Sequence, residues 1–187
     1  MRIISGAARG IPLLAGDEKA VRPTTDRIKE TLFNLLGPMD DKVVVDLFAG
    51  SGALGLEALS RGATKVFFIE KNRRTCQVIE KNLAKVSKSL SHEFQAEVIC
   101  ADYQSLTSRL SHLKGQVDMI LADPPYDDNS AMALDLLKDP ELAEWGTGAL
   151  LFLEHVSNMT LKPSEFSWKM IKRKDFKTTT LSFWTKK

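Results

Sequence analysis

The central part of the chain alternates between short apolar runs and segments with a helical period of apolar residues. Apolar runs with the length and β-branched content of buried strands lie at 42–48, 65–70, 96–102, 116–123 and 148–155. The segments that separate them place apolar residues three or four positions apart, as the buried face of a helix does. Strands separated by helix-sized connections predict a parallel sheet covered by helices, because each connection must cross back over a sheet face.

The C-terminal region departs from this alternation. Segments 167–176 and 177–186 are typical of two strands whose connection has no room for a helix. We therefore expect these two strands to pair antiparallel with each other. The pattern as a whole predicts an α/β fold with a doubly wound, mostly parallel seven-stranded sheet that ends in an antiparallel strand.

The N-terminal region predicts a small extension before the sheet. Segments 2–6 and 9–15 favour a hairpin, and segment 24–36 predicts a helix that Thr24 or Thr25 caps. The predicted apolar face of that helix consists of Ile28, Leu32 and Leu35. We expect one domain, with the hairpin and helix over 1–40 and the core over 41–187.

Composition supports a single globular domain. The chain has 187 residues, of which 43% are hydrophobic and 27% charged, and a domain of this size buries roughly 70% of its extended surface. The start lacks a signal-peptide pattern and no window reaches the roughly 18 apolar residues of a membrane span, so we expect a soluble cytoplasmic protein. Cys76 and Cys100 are far apart in the sequence. They predict ordinary thiols in a reducing compartment and no metal site.

Charge is uneven along the chain although the net charge is only +2. The first thirty residues and the residues after 155 are rich in lysine and arginine, while the middle is acidic. Basic ends could contact phosphates, and the alternative explanation is a solvated charged face.

A glycine-rich segment forms the first candidate site. Gly50, Gly52 and Gly55 give G-x-G-x-x-G between a predicted strand and helix, and Glu70 ends the next strand. This pattern is typical of dinucleotide-binding enzymes, so a nicotinamide or flavin enzyme is one alternative. Asp46 disfavours that alternative, because an anion at the strand end would repel a pyrophosphate and favour a cationic ligand.

S-adenosylmethionine is a ligand of the required kind, since it carries an ammonium and a sulfonium group. Asp46 would offset this positive charge, Glu70 would bind the ribose hydroxyls, and Asp102 would lie beside the adenine amino group. Tyr103 or Lys71 would pack near the adenine ring. Each acid alone could instead cap a helix. Three acids at successive strand ends favour a ligand site, because ligands of open α/β sheets bind outside the carboxyl ends of the strands.

The second candidate site is the tetrapeptide 123–126, DPPY. The two prolines make this corner stiff and hold Asp123 extended. The Asp123 carboxylate and the Pro124 carbonyl form two acceptors suited to one planar NH2 group, and Tyr126 offers a flat face to the ring that carries it. The corner predicts methyl transfer to an exocyclic amine, with Asp123 able to take up the released proton. The alternative is a proline turn that caps the next helix.

Three segments together resemble a known family. Segment 46–63, DLFAGSGALGLEALSRGA, resembles motif I of class I methyltransferases, and segment 121–126, LADPPY, resembles motif IV of enzymes that methylate amino nitrogens. Together with segment 22–36, RPTTDRIKETLFNLL, they resemble the ribosomal RNA small subunit methyltransferase D family over essentially the whole chain. The resemblance implies a Rossmann-like fold, S-adenosylmethionine as cofactor, and methylation of N2 of a guanine in bacterial 16S rRNA.

The residue patterns and the resemblance together give the expected site residues and partners. The expected cofactor-binding residues are Thr25, Asp46, Phe48, Ala49, Gly50, Ser51, Gly52, Glu70, Lys71, Asp102 and Tyr103. The expected catalytic residues are Asp123, Pro124, Pro125 and Tyr126. The expected RNA-binding residues are Arg2, Arg9, Arg22, Arg27, Lys172, Arg173 and Lys174. We expect a monomer that acts on the small ribosomal subunit or an assembly intermediate, after extrusion of the target base. The alternatives are methylation of DNA adenine or protein glutamine, and a non-catalytic RNA-binding assembly factor.

Overall fold

A seven-stranded sheet forms the centre of the protein. The computed structural model describes residues 1–15, 26–125, 131–159, 161 and 163–187. The strands are β1 (Val43–Leu47), β2 (Lys65–Glu70), β3 (Gln95–Cys100), β4 (Met119–Ala122), β5 (Leu150–Val156), β6 (Trp168–Asp175) and β7 (Thr179–Lys186). Their order is β3-β2-β1-β4-β5-β7-β6. The first five strands run parallel, and β7 pairs antiparallel with both β5 and β6, which confirms the predicted sheet.

The helices lie between these strands, with one exception before β1. They are α1 (Asp26–Leu36), α2 (Ala53–Ser60), α3 (Arg73–Val86), α4 (Leu106–Arg109), α5 (Ala131–Lys138) and α6 (Pro140–Trp145). The helix expected after β3 is only the short α4 with a 3-10 turn on each side. The helix expected after β4 is α5, and a further short helix, α6, follows it, because the Asp139 side chain caps α6 and Pro140 occupies its first position.

The two faces of the sheet carry separate apolar cores. Along β4, Ile120 and Ala122 belong to one core, while Met119 and Leu121 belong to the other, as expected from the alternation of side chains along a strand. The first core includes α4, α5 and α6. The second includes α1, α2, α3 and the N-terminal residues. Helices therefore cover both faces, as the doubly wound prediction requires. Within the described ranges, no helix is both long enough and apolar enough to cross a membrane.

The buried face of α1 differs from the prediction. Leu32 is buried as expected, but Ile28 and Leu35 are only half-buried, and Lys29 and Phe33 are buried in their place. Lys29 lies inward because its Nζ is 3.2 Å from a carboxylate oxygen of Glu57 on α2. The predicted caps Thr24 and Thr25 lie outside the described residues.

Residues 1–15, here called the N-terminal arm, fold back on themselves as predicted. The arm has an antiparallel bridge between Arg2 and Pro12, and the Ile3 amide donates to the Ile11 carbonyl at 3.0 Å. The arm packs on the end of α2, where the Ala7 amide donates to the Ser60 carbonyl at 2.7 Å. Gly6 has a φ of +81°, and a Cβ there would lie 1.7 Å from the Ser60 carbonyl oxygen. Only glycine allows this close approach.

Candidate functional site

The connection from β1 to α2, residues 48–52, is a tight turn that we call the glycine-rich turn. Phe48, Gly50 and Gly52 have positive φ values of 57°, 55° and 80°, a conformation that glycine adopts without strain. The turn is closed by a hydrogen bond of 2.7 Å from the Gly52 amide to the Ala49 carbonyl. A phenylalanine held at positive φ is an unusual backbone feature that occurs preferentially at functional sites.

Asp46 lies under this turn and is 1% exposed. Within the described part of the chain its carboxylate accepts one hydrogen bond, from the Gly55 amide at 2.8 Å. Burial raises the pKa of Asp46 to about 7, and the negative charge of Glu70 adds to this shift, while the Gly55 amide opposes it. The carboxyl group is therefore less readily ionised than that of an exposed aspartate. A cation placed beside it would favour the ionised form.

Glu70, at the end of β2, connects the glycine-rich turn to the backbone that leads into α3. One carboxylate oxygen accepts from the Gly50 amide at 3.1 Å, and the other accepts from the Asn72 amide at 2.8 Å. An ionised carboxylate offers about four acceptor positions. Glu70 can therefore hold the glycine-rich turn in place and still accept hydrogen bonds from hydroxyl groups of a ligand.

The end of β3 contributes an acid and an aromatic ring. Asp102 is exposed and its side chain accepts from the Gln104 amide at 3.0 Å, so the capping role considered for it is present in the structure. The Tyr103 ring lies 4.8 Å from the Phe48 ring, centre to centre. Burial raises the pKa of Tyr103. The ring contact joins the end of β3 to the glycine-rich turn. Lys71, which directly follows β2, is exposed.

The corner at Asp123 begins beside the glycine-rich turn. Ala122, the last residue of β4, pairs with Leu47 of β1, so the two strands end at the same level. Leu121 pairs with Asp46, and alternation along an extended chain therefore places Asp123 on the same face as Asp46. Two carboxyl groups and the turn thus occupy one edge of the sheet.

The structure brings most, though not all, of the predicted site together. The acids and aromatic residues at the ends of β1, β2, β3 and β4 share the carboxyl edge of the sheet. Thr25, Arg22 and Tyr126 lie outside the described residues. Arg2, Arg9 and Arg27 are exposed on the arm and α1, and Lys172, Arg173 and Lys174 are exposed on β6, the edge strand. The basic residues therefore form two groups on different elements. Among the residues that can be described, no group of His, Cys, Asp or Glu has an arrangement suited to a metal ion.

Sequence reasoning missed a buried charge network beside the site. Glu57 on α2 is fully buried and contacts Lys29 at 3.2 Å and Arg61 at 2.9 Å. It also accepts from the backbone amides of Ile4 and Ser5 at 2.8 and 2.9 Å. The available signal was a single glutamate inside the apolar run of α2, since a charge at such a position requires buried partners.

The two cysteines are closer in the fold than their sequence separation indicates. The Cys76 thiol donates to the Glu70 carbonyl at 3.2 Å, and Cys100 is the residue that pairs with Glu70 in the sheet. Both are free thiols, one buried and one exposed. Burial and the neighbouring Cys100 raise the pKa of Cys76 to about 12.

Comparison with known proteins identifies the family. The family model described as "Conserved hypothetical protein 95" matches residues 1–185. Ribosomal RNA small subunit methyltransferase D of Haemophilus influenzae is 38% identical over 178 residues, which cover 93% of this chain and 88% of that protein. The Escherichia coli protein of the same name is 42% identical over 128 residues, which cover 67% of this chain and 60% of that protein.

A solved structure has a similar fold over the whole chain. The structure of an Escherichia coli protein described as a "putative methyltransferase" aligns with a TM-score of 0.70 at 29% identity, covering 100% of this chain and 98% of that one. The chain belongs to the family that contains ribosomal RNA small subunit methyltransferase D.

Proposed function

We propose that this protein methylates the exocyclic N2 amine of a guanine in bacterial 16S rRNA, with S-adenosylmethionine as methyl donor. The observation that carries the proposal is the pairing of β1 with β4 up to Leu47 and Ala122, which brings Asp123 beside the start of the glycine-rich turn. A donor group and an acceptor amine can meet at this edge. The names of the relatives support ribosomal RNA as the substrate class.

The residues at the ends of β1 and β2 fit this cofactor. Asp46 is a buried carboxyl group with a pKa raised to about 7, and a ligand with positive charge would stabilise its ionised form. Glu70 keeps acceptor capacity for ribose hydroxyls, and the Phe48–Tyr103 pair offers an apolar surface for a purine ring. When bound, S-adenosylmethionine supplies an electrophilic methyl group on a sulfonium.

Asp123 and Pro124 would position the amine. The N2 nitrogen of guanine is a weak nucleophile because its lone pair is delocalised into the ring. The Asp123 carboxylate and the Pro124 carbonyl can each accept one of its two hydrogens, which directs the lone pair toward the methyl group. The nitrogen gains the methyl and loses one proton, and the Asp123 carboxylate accepts that proton before it passes to solvent. S-adenosylhomocysteine is the second product.

The exposed basic residues would hold the RNA backbone. Arg2 and Arg9 lie on the arm and Arg27 on α1, while Lys172, Arg173 and Lys174 lie on β6. Phosphate contacts of this kind bind without reading sequence. We therefore propose that the folded ribosomal particle, and not a sequence motif in naked RNA, selects the target guanine.

Labelled methyl transfer tests the proposal. The protein is incubated with labelled S-adenosylmethionine and small ribosomal subunits from cells that lack this modification, and the labelled nucleotide is mapped after digestion. We expect one labelled N2-methylguanosine in 16S rRNA and much less label on naked 16S rRNA. Label on adenine, or on a glutamine of a protein substrate, would contradict guanine N2 as the target. Absence of S-adenosylmethionine binding by calorimetry would instead favour a non-catalytic assembly factor.

A further inference from the structure

Asn82 on α3 joins the N-terminal arm to the glycine-rich turn. It is fully buried, and its amide oxygen accepts from the Leu14 amide at 2.8 Å. Its amide nitrogen donates to the Leu14 carbonyl at 3.0 Å and to the Ser51 carbonyl at 2.9 Å. Both hydrogens of the side-chain nitrogen are therefore used, one on the arm and one on the turn.

A second contact connects the arm to the same residue of the turn. The Ser51 hydroxyl lies 3.9 Å from the Met1 sulfur, and the Leu13 amide donates to the Met1 carbonyl at 3.1 Å. One end of the arm thus contacts Ser51 directly, and the other end reaches Ser51 through Asn82. Ser51 lies between Gly50 and Gly52. The arm also carries Arg2 and Arg9, two of the exposed basic residues assigned to RNA.

The other contacts of the arm go to α1, α2 and α3, and those to α2 do not involve the turn. The Ser60 hydroxyl donates to the Ser5 carbonyl at 2.6 Å and accepts from the Ala8 amide at 3.0 Å. Glu57 accepts from the amides of Ile4 and Ser5. Docking on α2 and attachment to the turn are therefore carried by different side chains, and each can be altered separately.

We propose that Asn82 is a positioning residue through which cofactor binding and RNA binding strengthen each other. The inference rests on the proposed function, since it assumes that the cofactor occupies the glycine-rich turn and that the arm touches RNA. A ligand that orders the turn fixes the Ser51 carbonyl, which fixes the Asn82 amide and through it the Leu14 backbone. An arm that is already ordered loses less conformational freedom when RNA binds. By thermodynamic linkage, RNA must increase the cofactor affinity by the same factor.

Equilibrium dialysis of labelled S-adenosylhomocysteine measures this effect without turnover. The dissociation constant is determined with and without undermodified small ribosomal subunits, and the ratio of the two values is compared between variants. We expect subunits to tighten binding about tenfold in the wild-type protein, within the usual range for linked sites. The ratio should fall toward one in Asn82→Ala and stay at the wild-type value in Ser60→Ala, the matched control that weakens arm docking on α2 alone.

Hydrogen exchange provides a second test, which uses the wild-type protein and therefore does not depend on whether a variant folds. Addition of S-adenosylhomocysteine should slow exchange of the Leu14 amide, which donates to Asn82, more than exchange of the Ala8 amide, which donates to Ser60. Equal protection of both amides, or the same affinity ratio in Asn82→Ala and wild type, would overturn the inference while leaving the proposed function intact. A wild-type protein that binds no S-adenosylhomocysteine would overturn the proposed function itself.

Discussion

Two buried acids, Asp46 on β1 and Glu57 on α2, have very different surroundings. Glu57 is 0% exposed and is met by two cations, Lys29 and Arg61, and by two backbone amides of the arm. Asp46 is 1% exposed, and in the part of the chain that the structure covers it accepts a hydrogen bond from the Gly55 amide alone. The two carboxyl groups are equally buried, but Glu57 has cationic partners, whereas the partner of Asp46 among the described residues is a backbone amide.

The difference separates a structural acid from a site acid. A buried charge is tolerated when it is paired and hydrogen-bonded, and Glu57 meets that condition inside the protein. Asp46 does not meet it, and its pKa is raised to about 7. A buried group with a strongly shifted pKa at the carboxyl edge of an α/β sheet is a candidate for ligand binding. A cationic ligand can therefore supply the positive charge that would stabilise the ionised form of Asp46.

Replacing each of these two acids should have its largest effect on the free energy of unfolding, and the two effects should differ. Glu57→Ala should reduce the free energy of unfolding by about 3–5 kcal/mol, because Lys29 would remain buried without its carboxylate partner. Burial already lowers the pKa of Lys29. Denaturant unfolding measures the change. Asp46→Asn, which keeps the shape and an acceptor for the Gly55 amide, should cost less than about 1 kcal/mol. An equal loss in the two variants would remove the distinction between the two acids.

A smaller effect is expected on cofactor affinity and its dependence on pH. The pKa of Asp46 is about 7 in the free protein, and a bound cationic cofactor lowers it, so binding releases a proton below pH 7. Affinity for S-adenosylmethionine should therefore rise by up to about tenfold per pH unit as pH increases toward 7, and level off above it. Calorimetric titrations at several pH values between about 5.5 and about 8.5 measure this dependence of affinity on pH.

Asp46→Asn is the control for that titration. Without an ionisable group at this position, affinity should be weaker at about pH 8 and nearly independent of pH across the same range, about 1.5 units either side of 7. If the variant retained the wild-type pH dependence, another group would be responsible and Asp46 would lose its assigned part in binding.

The sequence predicts the elements better than the contacts between layers. The acids Asp46, Glu70 and Asp102 were found because the strand pattern fixes where each strand ends, and parallel strands end at one edge. The additional helix α6 also has local sequence signals, which are the capping Asp139 and Pro140 at its first position.

Contacts between distant segments have no such local signal. Lys29 was placed outside the buried face of α1, because a lysine is normally exposed and its partner Glu57 lies on another helix. Asn82 likewise lies in α3 at a position that helical spacing assigns to the core, and its partners Leu14 and Ser51 belong to two other segments. Only the folded chain shows that these polar side chains connect the arm, α1 and the glycine-rich turn.

The central claim is that the corner at Asp123 positions the accepting amine beside the cofactor. Single-turnover methyl transfer to undermodified small subunits by the Asp123→Ala variant tests this claim. The control is Asp118→Ala, because Asp118 immediately precedes the other end of β4 and forms an ion pair with Lys42. Asp123→Ala should lower the transfer rate by at least about 100-fold and leave S-adenosylmethionine affinity unchanged. Asp118→Ala should transfer at nearly the wild-type rate. Wild-type transfer by Asp123→Ala would contradict the claim.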